Sequence, residues 1–240
     1  MDQTRAVLFD LDDTLFDHQH SSQQGLAIVH AQYPCFWRVP LADFFNEYQQ
    51  LLDEYHARML QGGLSLGEAR YERFKELFAR HGEMLPFEAI EQAVRFYFQT
   101  YLRMRRAVPG SKALLERLKQ NVYIAVVTNN RLSEQREKLR ACGLDALVDS
   151  LIVSDDVGVL KPDPKIYRTA LERIACSPQE AVMVGDSWEA DVLGACQAGI
   201  RAVWFNRNAI SVPDPDLAVV IRSFEPTDQI TKLLLKNERV

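Results

Sequence analysis

The sequence is short of several features that would place it in a specialised class of protein. Its four cysteines form no CxxC pair, and we interpret them as buried free thiols in a reducing cytosol. No apolar run approaches the roughly 20 residues that cross a bilayer, and the apolar run after Arg5 stops at Asp10, too early for a signal peptide. A cytoplasmic protein with no membrane partner is therefore expected.

Basic charge is also in short supply. The net charge is −5, which argues against nucleic acid as a partner because binding the phosphate backbone requires a basic face. A small phosphorylated substrate stays compatible, since a metal ion and a few cationic side chains can set the local field. Hydrophobic residues make up 47% and charged residues 25% of the chain, which is typical of a globular protein rather than a disordered one.

Short apolar runs rich in β-branched residues indicate strands that are buried on both faces, as in a parallel sheet. These runs are Ala6–Asp10, Val122–Thr128, Ser150–Ser154, Ala181–Asp186 and Arg201–Asn206. The helical patterns between them are Ser111–Gln120, Ser133–Cys142 with a capping serine, a helix starting at Asp163-Pro164, and Ser187–Ala198. This alternation predicts a doubly wound α/β core. Ala218–Ile221 is predicted as an edge strand and Thr227–Lys236 as a closing helix.

The segment from about residue 18 to residue 106 contains no clear strand. Large apolar residues recur at helical spacing from Phe44 to Met59 and from Phe87 to Tyr101, and Gly62-Gly63 is expected to end the first of these helices. We interpret residues 18–106 as a bundle of roughly four helices, inserted into a core formed by residues 1–17 and 107–240. Because ligands bind at the carboxyl edge of a parallel sheet, this insert is expected to cover the site.

Polar residues stand at the carboxyl ends of the predicted strands. Asp10, Thr128 and Asp186 end three of them, and parallel strands all end at the same edge of the sheet. Asp10, Asp12 and Asp13 place three carboxylates within four positions, and such groups repel one another. A divalent metal with hard oxygen ligands is the natural counterion, and a plain polar turn is the alternative.

Further candidates follow the later strands. The Thr128 hydroxyl and the Asn129 amide either hold phosphate oxygens or cap the next helix. Lys161 precedes Pro162, which restricts its backbone. This lysine is either an ordinary exposed residue or one that neutralises a transferring phosphoryl group.

Two acids close the set of candidates. Asp186 precedes a predicted helix and Asp191 lies in its first turns. They either favour the helix dipole or join Asp10 and Asp12 in a metal pocket. The convergence with the other strand ends favours the pocket.

The ordered set DxDxT, hydrophobic-T-N, K-P and GDSxxxD resembles the haloacid dehalogenase superfamily, over a span from Phe9 to Asp191. The helical insert resembles that superfamily's α-helical cap, and the pattern is similar to the branch of pyrimidine 5′-nucleotidases and phosphoglycolate phosphatases. The resemblance implies a Rossmann-like doubly wound parallel sheet with a helical-bundle cap after the first strand. One position departs from the pattern, because many members have glycine where this chain has Asp13.

The resemblance implies a role for each matched residue. By this resemblance, Asp10 is the nucleophile and Asp12 the general acid/base, and the residues that bind phosphate are Thr128, Asn129 and Lys161. The implied Mg²⁺ ligands are the Asp10 and Asp186 carboxylates and the Asp12 backbone carbonyl. Asp191 is implied to support either the metal site or Lys161. Dehalogenation is disfavoured, because dehalogenases of this superfamily lack the second acid. The predicted enzyme is a magnesium-dependent phosphatase that acts through an aspartyl-phosphate.

The substrate is predicted to be a small phosphomonoester, with a nucleoside 5′-monophosphate favoured over a sugar phosphate or phosphoglycolate. A phosphomutase of the same fold and a non-catalytic phosphate-binding protein remain alternatives, as do a monomer and a homodimer. Candidate specificity residues line the predicted rim of the site: Phe16, His18, His20, Asn130, Arg131 and Trp188. The alternatives are that Phe16 belongs to the core and that both histidines are exposed loop residues.

Overall fold

The computed structural model describes residues 4–60 and 63–236. The chain forms two compact units, one built from Met1–Asp17 and Arg106–Val240 and the other from His18–Arg105. We call the first the α/β unit and the second the helical unit. No helix in the described ranges combines the length and the apolar character needed to span a membrane.

The α/β unit is built on a parallel sheet of six strands in the order β3-β2-β1-β4-β5-β6. The strands are β1 (Ala6–Phe9), β2 (Tyr123–Thr128), β3 (Ser150–Val153), β4 (Ala181–Gly185), β5 (Arg201–Phe205) and β6 (Val219–Ile221). The central strand β1 pairs with β2 on one side and with β4 on the other. This order is that of a Rossmann-like fold, which confirms the predicted fold class.

The helical unit consists of helices that pack against one another through aromatic rings. They are α1 (His18–Gln32), α2 (Leu41–Leu60), α3 (Leu66–Arg80) and α4 (Phe87–Arg103). Tyr48, Phe74 and Tyr97 come from three of these helices, and their ring centroids lie 5.4 Å apart in each pair. Gly25 of α1 lies against Tyr97 so closely that a Cβ atom there would be 2.7 Å from the ring. The absence of a side chain at Gly25 therefore allows α1 and α4 to approach.

Helices of the α/β unit connect and flank the strands. They are α5 (Ser111–Leu118), α6 (Leu132–Ala141), α7 (Ser154–Val157), α8 (Pro164–Arg173), α9 (Gly194–Gln197) and α10 (Thr227–Leu235), and a π-helical turn (Trp188–Leu193) precedes α9. Ala6 and Leu8 share a buried cluster with Ile166 and Tyr167 of α8. Because side chains alternate along a strand, Val7 and Phe9 face the other side of the sheet, and both are fully buried. Burial on both faces explains the continuous apolar runs.

Three details of the sequence interpretation need correction or lie outside the structure. Ser133 does not cap α6, because the helix starts at Leu132 and the preceding Arg131 makes no side-chain cap. The four cysteines form no disulfide, as expected, but each is half-buried rather than buried. Cys142, for example, lies at the end of α6, where helices reach the surface. The helix stop was predicted at Gly62-Gly63, of which Gly62 lies outside the described residues, and α2 is described up to Leu60.

Candidate active site

The carboxyl ends of the adjacent strands β1, β2 and β4 carry the candidate residues Asp10, Thr128 and Asp186. Phe9 is in register with Val126 of β2 and with Val184 of β4, so the residues that follow each strand leave the sheet side by side. The Asp10 backbone N–H donates to the Val184 carbonyl over 2.9 Å and continues the pairing by one residue. The central position of β1 thus places Asp10 between the ends of its two neighbours.

A cluster of three carboxylates forms at this edge. Among the described residues, Asp10, Asp186 and Asp191 each offer an oxygen, and these oxygens all lie within 4.8 Å of one another. Burial raises the pKa of Asp10 to about 7, against the opposing charge of Lys161. Burial and the neighbouring charge of Asp10 raise the pKa of Asp186 well above its usual value. Burial is the main cause of both shifts, and the neighbouring carboxylates add to it.

Lys161 is the cation of this cluster. Its Nζ lies 2.6 Å from Asp10 Oδ1 and 2.6 Å from Asp191 Oδ1, and its side chain is buried. Burial opposes the charged form, but the two carboxylates prevail and raise the pKa of Lys161 above its usual value. Lys161 is therefore a fixed positive charge beside Asp10, as a group that binds phosphoryl oxygens must be.

Asn129 holds the backbone that carries Lys161. Its Oδ1 accepts the Lys161 N–H over 2.7 Å, and its Nδ2 donates to the Lys161 carbonyl over 2.9 Å. These two hydrogen bonds occupy both ends of the carboxamide. The Asn129 side chain thereby orients Lys161, while its predicted contact with phosphate remains a prediction.

Gly185 makes room for Asp191. A Cβ atom at Gly185 would overlap the Asp191 carboxyl group, so any side chain at the end of β4 would displace this acid. Asp191 uses one oxygen to bind Lys161 and the other to accept the Ser187 N–H over 3.0 Å. Asp191 therefore lies in direct contact with Lys161, and its predicted supporting role remains a prediction.

Asp12 turns away from the three-carboxylate cluster. Lys138 Nζ lies 2.6 Å and 2.8 Å from its two carboxylate oxygens, and Gln135 Nε2 donates to Oδ2 over 3.1 Å. Any part for Asp12 in metal binding consequently falls to its backbone carbonyl, as the resemblance implies. Gln135 and Lys138 were missed from the sequence. They are three residues apart in the helix that follows the threonine-asparagine motif, which places them on one face of α6.

The loop after β1 explains the departure at Asp13. Its φ is 61°, which lies in the left-handed region that favours glycine. Aspartate is among the few other residues that adopt this conformation readily. Asp13 thus adopts a backbone conformation that glycine also adopts. In the same loop, Thr14 Oγ1 donates to Asp186 Oδ1 over 3.4 Å and connects the ends of β1 and β4.

The candidate specificity residues of the α/β unit differ in burial and in their partners. Phe16 is fully buried, and Lys138 Nζ lies 5.4 Å from its ring centroid. Trp188 is half-buried against the core, edge-on to Trp204 at 5.0 Å. Asn130 uses its side chain to accept the Arg131 backbone N–H over 2.8 Å, and Arg131 is exposed at the start of α6.

The two histidines lie in a helix rather than in a loop. His18 and His20 form the first turn of α1, and both are half-buried. His18 Nδ1 lies 2.9 Å from the Tyr101 hydroxyl. The expectation of exposed loop residues is therefore wrong, because the helical pattern of the insert begins directly after Asp17.

Known proteins are similar to this chain in sequence and in fold. Residues 4–199 match the family profile described as a haloacid dehalogenase-like hydrolase. The chain is 33% identical over 208 residues to ribulose-1,5-bisphosphate 5-phosphatase from Halopiger xanaduensis, covering 84% of each protein. It is 29% identical over 209 residues to pyrimidine 5′-nucleotidase YjjG from Escherichia coli, covering 87% of this chain and 88% of the relative.

A solved structure gives the same result. The HAD-hydrolase YfnB from Bacillus subtilis, described as bound to magnesium, matches with a TM-score of 0.76 and 26% identity, covering 96% of this chain and 99% of that chain. The family profile spans most of the chain, and the strand ends carry the motif residues that suggested the resemblance. The chain belongs to the haloacid dehalogenase-like hydrolase family.

Proposed function

We propose that this protein is a magnesium-dependent phosphomonoesterase whose nucleophile is Asp10. The observation that carries this proposal is the arrangement around Asp10: a buried carboxylate, a buried lysine 2.6 Å away, and two further carboxylates within 4.8 Å. Phosphatases among the relatives support the reaction class.

The residues at this edge fit a divalent cation. Three carboxylates face one lysine, which leaves an excess of two negative charges. Asp10 and Asp186, with the Asp12 backbone carbonyl, would hold the ion as oxygen ligands, while Asp191 supports Lys161. When bound, Mg²⁺ neutralises the repulsion between Asp10 and a phosphate dianion and polarises the phosphoryl oxygens.

Asp10 and Asp12 divide the chemistry between them. The Asp10 carboxylate attacks phosphorus and forms an aspartyl-phosphate as the bond to the leaving oxygen breaks. Asp12 gives its proton to that oxygen and later takes one from the water that attacks the aspartyl-phosphate. Lys161 and Thr128 hold the equatorial oxygens, where negative charge is spread in the transition state.

The substrate proposed is a small phosphorylated metabolite. The relatives include a sugar-bisphosphate phosphatase and a pyrimidine nucleotidase, so nucleoside 5′-monophosphates and sugar phosphates are the two classes to compare. We assign the helical unit the role of a cap that selects among them. The description of the B. subtilis structure as showing interdomain movement supports this assignment.

The test is phosphate release from a panel of phosphomonoesters by the purified protein, with Mg²⁺ and with a chelator. We expect turnover with Mg²⁺ only, and a loss of at least about 10³-fold in kcat for Asp10→Asn, because the nucleophile is removed. Asp145→Asn changes an exposed aspartate on the turn before β3 and should leave kcat unchanged. Wild-type turnover by Asp10→Asn would disprove the mechanism, and isomerisation without phosphate release would indicate a mutase.

A further inference from the structure

Helix α6 buries two polar side chains that the proposed mechanism does not use. Gln135 is fully buried and Lys138 is 7% exposed, whereas most other residues of the helix face solvent. Removing a lysine and an amide from water costs free energy unless strong partners replace the water. Their burial therefore requires an explanation beyond the packing of an amphipathic helix.

Both side chains end at Asp12. Lys138 Nζ bridges the two carboxylate oxygens at 2.6 Å and 2.8 Å, and Gln135 Nε2 donates to Oδ2 at 3.1 Å. A charge-assisted contact to both oxygens fixes the plane of the carboxylate as well as its position. The contact comes from one face of one helix, because the two residues are three positions apart.

Gln135 also reaches a second residue of the site. Its Nε2 donates to Thr128 Oγ1 over 2.6 Å, and an amide nitrogen carries two hydrogens, so both hydrogen bonds form at once. The amide therefore connects the predicted acid/base with the predicted phosphate-binding hydroxyl. This connection orients the two groups relative to each other.

We propose that Lys138 and Gln135 are positioning residues that hold the Asp12 carboxylate for proton exchange with the leaving oxygen and with the attacking water. This inference rests on the proposed phosphatase function. A general acid must lie within hydrogen-bond reach of the oxygen that it protonates, and an aspartate side chain that turns by one rotamer loses that reach. The bridge from Lys138 removes this rotation.

The step that depends on Lys138 and Gln135 is the transfer of a proton from Asp12 to the leaving oxygen. As the Asp10–phosphorus bond forms and the bond from phosphorus to the leaving oxygen breaks, the proton of Asp12 passes to that oxygen. A nitrophenolate leaves without a proton, whereas an alkoxide requires one. Loss of positioning should therefore slow alkyl phosphates and spare p-nitrophenyl phosphate in kcat/KM, which reports the first chemical step.

The test compares kcat/KM of Lys138→Met for an alkyl phosphomonoester that the wild type hydrolyses and for p-nitrophenyl phosphate. For the alkyl ester we expect kcat/KM to fall by about 10²-fold, which is the size of a general-acid contribution. For the nitrophenyl ester we expect a fall of less than about threefold, because its leaving group needs no proton. Asp12→Asn should show the same difference between the two substrates, with a larger fall in kcat/KM for the alkyl ester, because the acid itself is removed. Lys138→Arg keeps a bidentate cation and should recover part of the alkyl activity.

Lys119→Met is the matched control, because Lys119 also pairs with an aspartate, Asp149 at 2.8 Å, but is exposed and lies at the end of α5, just before β2 starts. It should leave both kcat/KM values unchanged. If Lys138→Met does not fold, Gln135→Met in the same assay decides, since it removes both amide hydrogen bonds at similar volume. An equal fall on both substrates, or no fall, would overturn the positioning role. Inactivity of the wild type on every phosphomonoester would instead refute the proposed function.

Discussion

The α/β unit buries lysine and aspartate side chains together, whereas the helical unit buries mainly aromatic rings. In the α/β unit, Asp10, Lys161 and Asp191 are buried in mutual contact, and Lys138 is buried against Asp12. In the helical unit, Tyr48, Phe74 and Tyr97 form the centre of the packing. Buried ion pairs contribute little to stability compared with apolar packing, which agrees with the chemical role proposed for those of the α/β unit.

Arg73 marks the limit of this contrast. It is the buried charged residue of the helical unit within the described ranges, and no carboxylate of those ranges lies within salt-bridge distance of it. Its guanidinium lies 5.5 Å from the Tyr48 ring centroid, which gives a cation–π contact of moderate strength. The two units thus differ in whether a buried charged side chain contacts a side chain of opposite charge. Substitutions can test how this difference affects stability and activity.

The largest effect is expected from Phe74→Ala in the helical unit. The Phe74 side chain is 1% exposed, and its loss leaves a cavity among aromatic rings, which costs about 3–5 kcal/mol of the free energy of unfolding. Urea denaturation measures this loss. Phe87→Ala is the control, because Phe87 is 59% exposed. Equal losses for the two variants would contradict the aromatic packing described for this unit.

The next effect is expected from Lys161→Met in the α/β unit. Removing the cation beside Asp10 should lower kcat by about 10²–10³-fold, the usual cost of losing a group that stabilises transition-state charge. The fall in kcat should be equal for alkyl and nitrophenyl esters, because in the proposed mechanism Lys161 binds the phosphoryl group rather than the leaving oxygen. The Lys119→Met variant again serves as control. A loss confined to alkyl esters would assign Lys161 the role proposed for Lys138.

A smaller effect concerns Asp17, a buried acid outside the carboxylate cluster. Asp17 is fully buried and accepts hydrogen bonds from Arg106 at 2.9 Å and from Arg207 at 3.1 Å. Burial alone would raise the pKa of Asp17, but the two guanidinium groups lower it below its usual value. A carboxyl group with a lowered pKa stabilises the fold above its unfolded pKa, near 3.9, and loses this contribution as the pH falls.

Asp17→Asn should therefore reduce the free energy of unfolding by about 2 kcal/mol at neutral pH, and the difference from wild type should shrink as the pH falls below about 4. Urea midpoints of both proteins across that range measure the difference. A difference that stays constant down to about pH 3 would show that the arginines stabilise the fold without favouring the ionised carboxyl group.

The smallest effect is expected from Arg73→Met. The substitution keeps an unbranched side chain of similar length and removes a buried charge that has no carboxylate partner among residues 4–60 and 63–236, so the free energy of unfolding should rise by about 1 kcal/mol. Arg80→Met is the control, since Arg80 pairs with Glu76 at 2.7 Å on the helix surface. A clear destabilisation by Arg73→Met would remove the distinction between paired and unpaired buried charge.

Much of the site could be predicted because its residues follow strands. Asp10, Thr128 and Asp186 each end or follow a continuous apolar run, and parallel strands bring such ends together whatever their separation in sequence. This geometry depends on short-range patterns and on one topological rule. The fold class and the cluster around Asp10 were therefore accessible before the structure.

The contacts made by helices were not accessible in the same way. Lys138 and Gln135 lie on a helix whose other residues are mostly charged and exposed, so their burial depends on how α6 packs, which no local pattern reveals. The prediction that Ser133 caps α6 was wrong for a related reason. A serine inside the first turn of a helix and a serine just before that turn look alike in sequence. The cysteines show that an apolar neighbourhood in sequence does not ensure burial in three dimensions.

Gly185 carries a practical consequence for anyone who alters this enzyme. It supplies no reactive atom, yet the space above its Cα is filled by the carboxyl group of Asp191, which in turn holds Lys161. A saturation library would therefore return Gly185 among the positions that tolerate nothing else, alongside the acids themselves. Libraries that vary substrate range should therefore leave Gly185 unchanged.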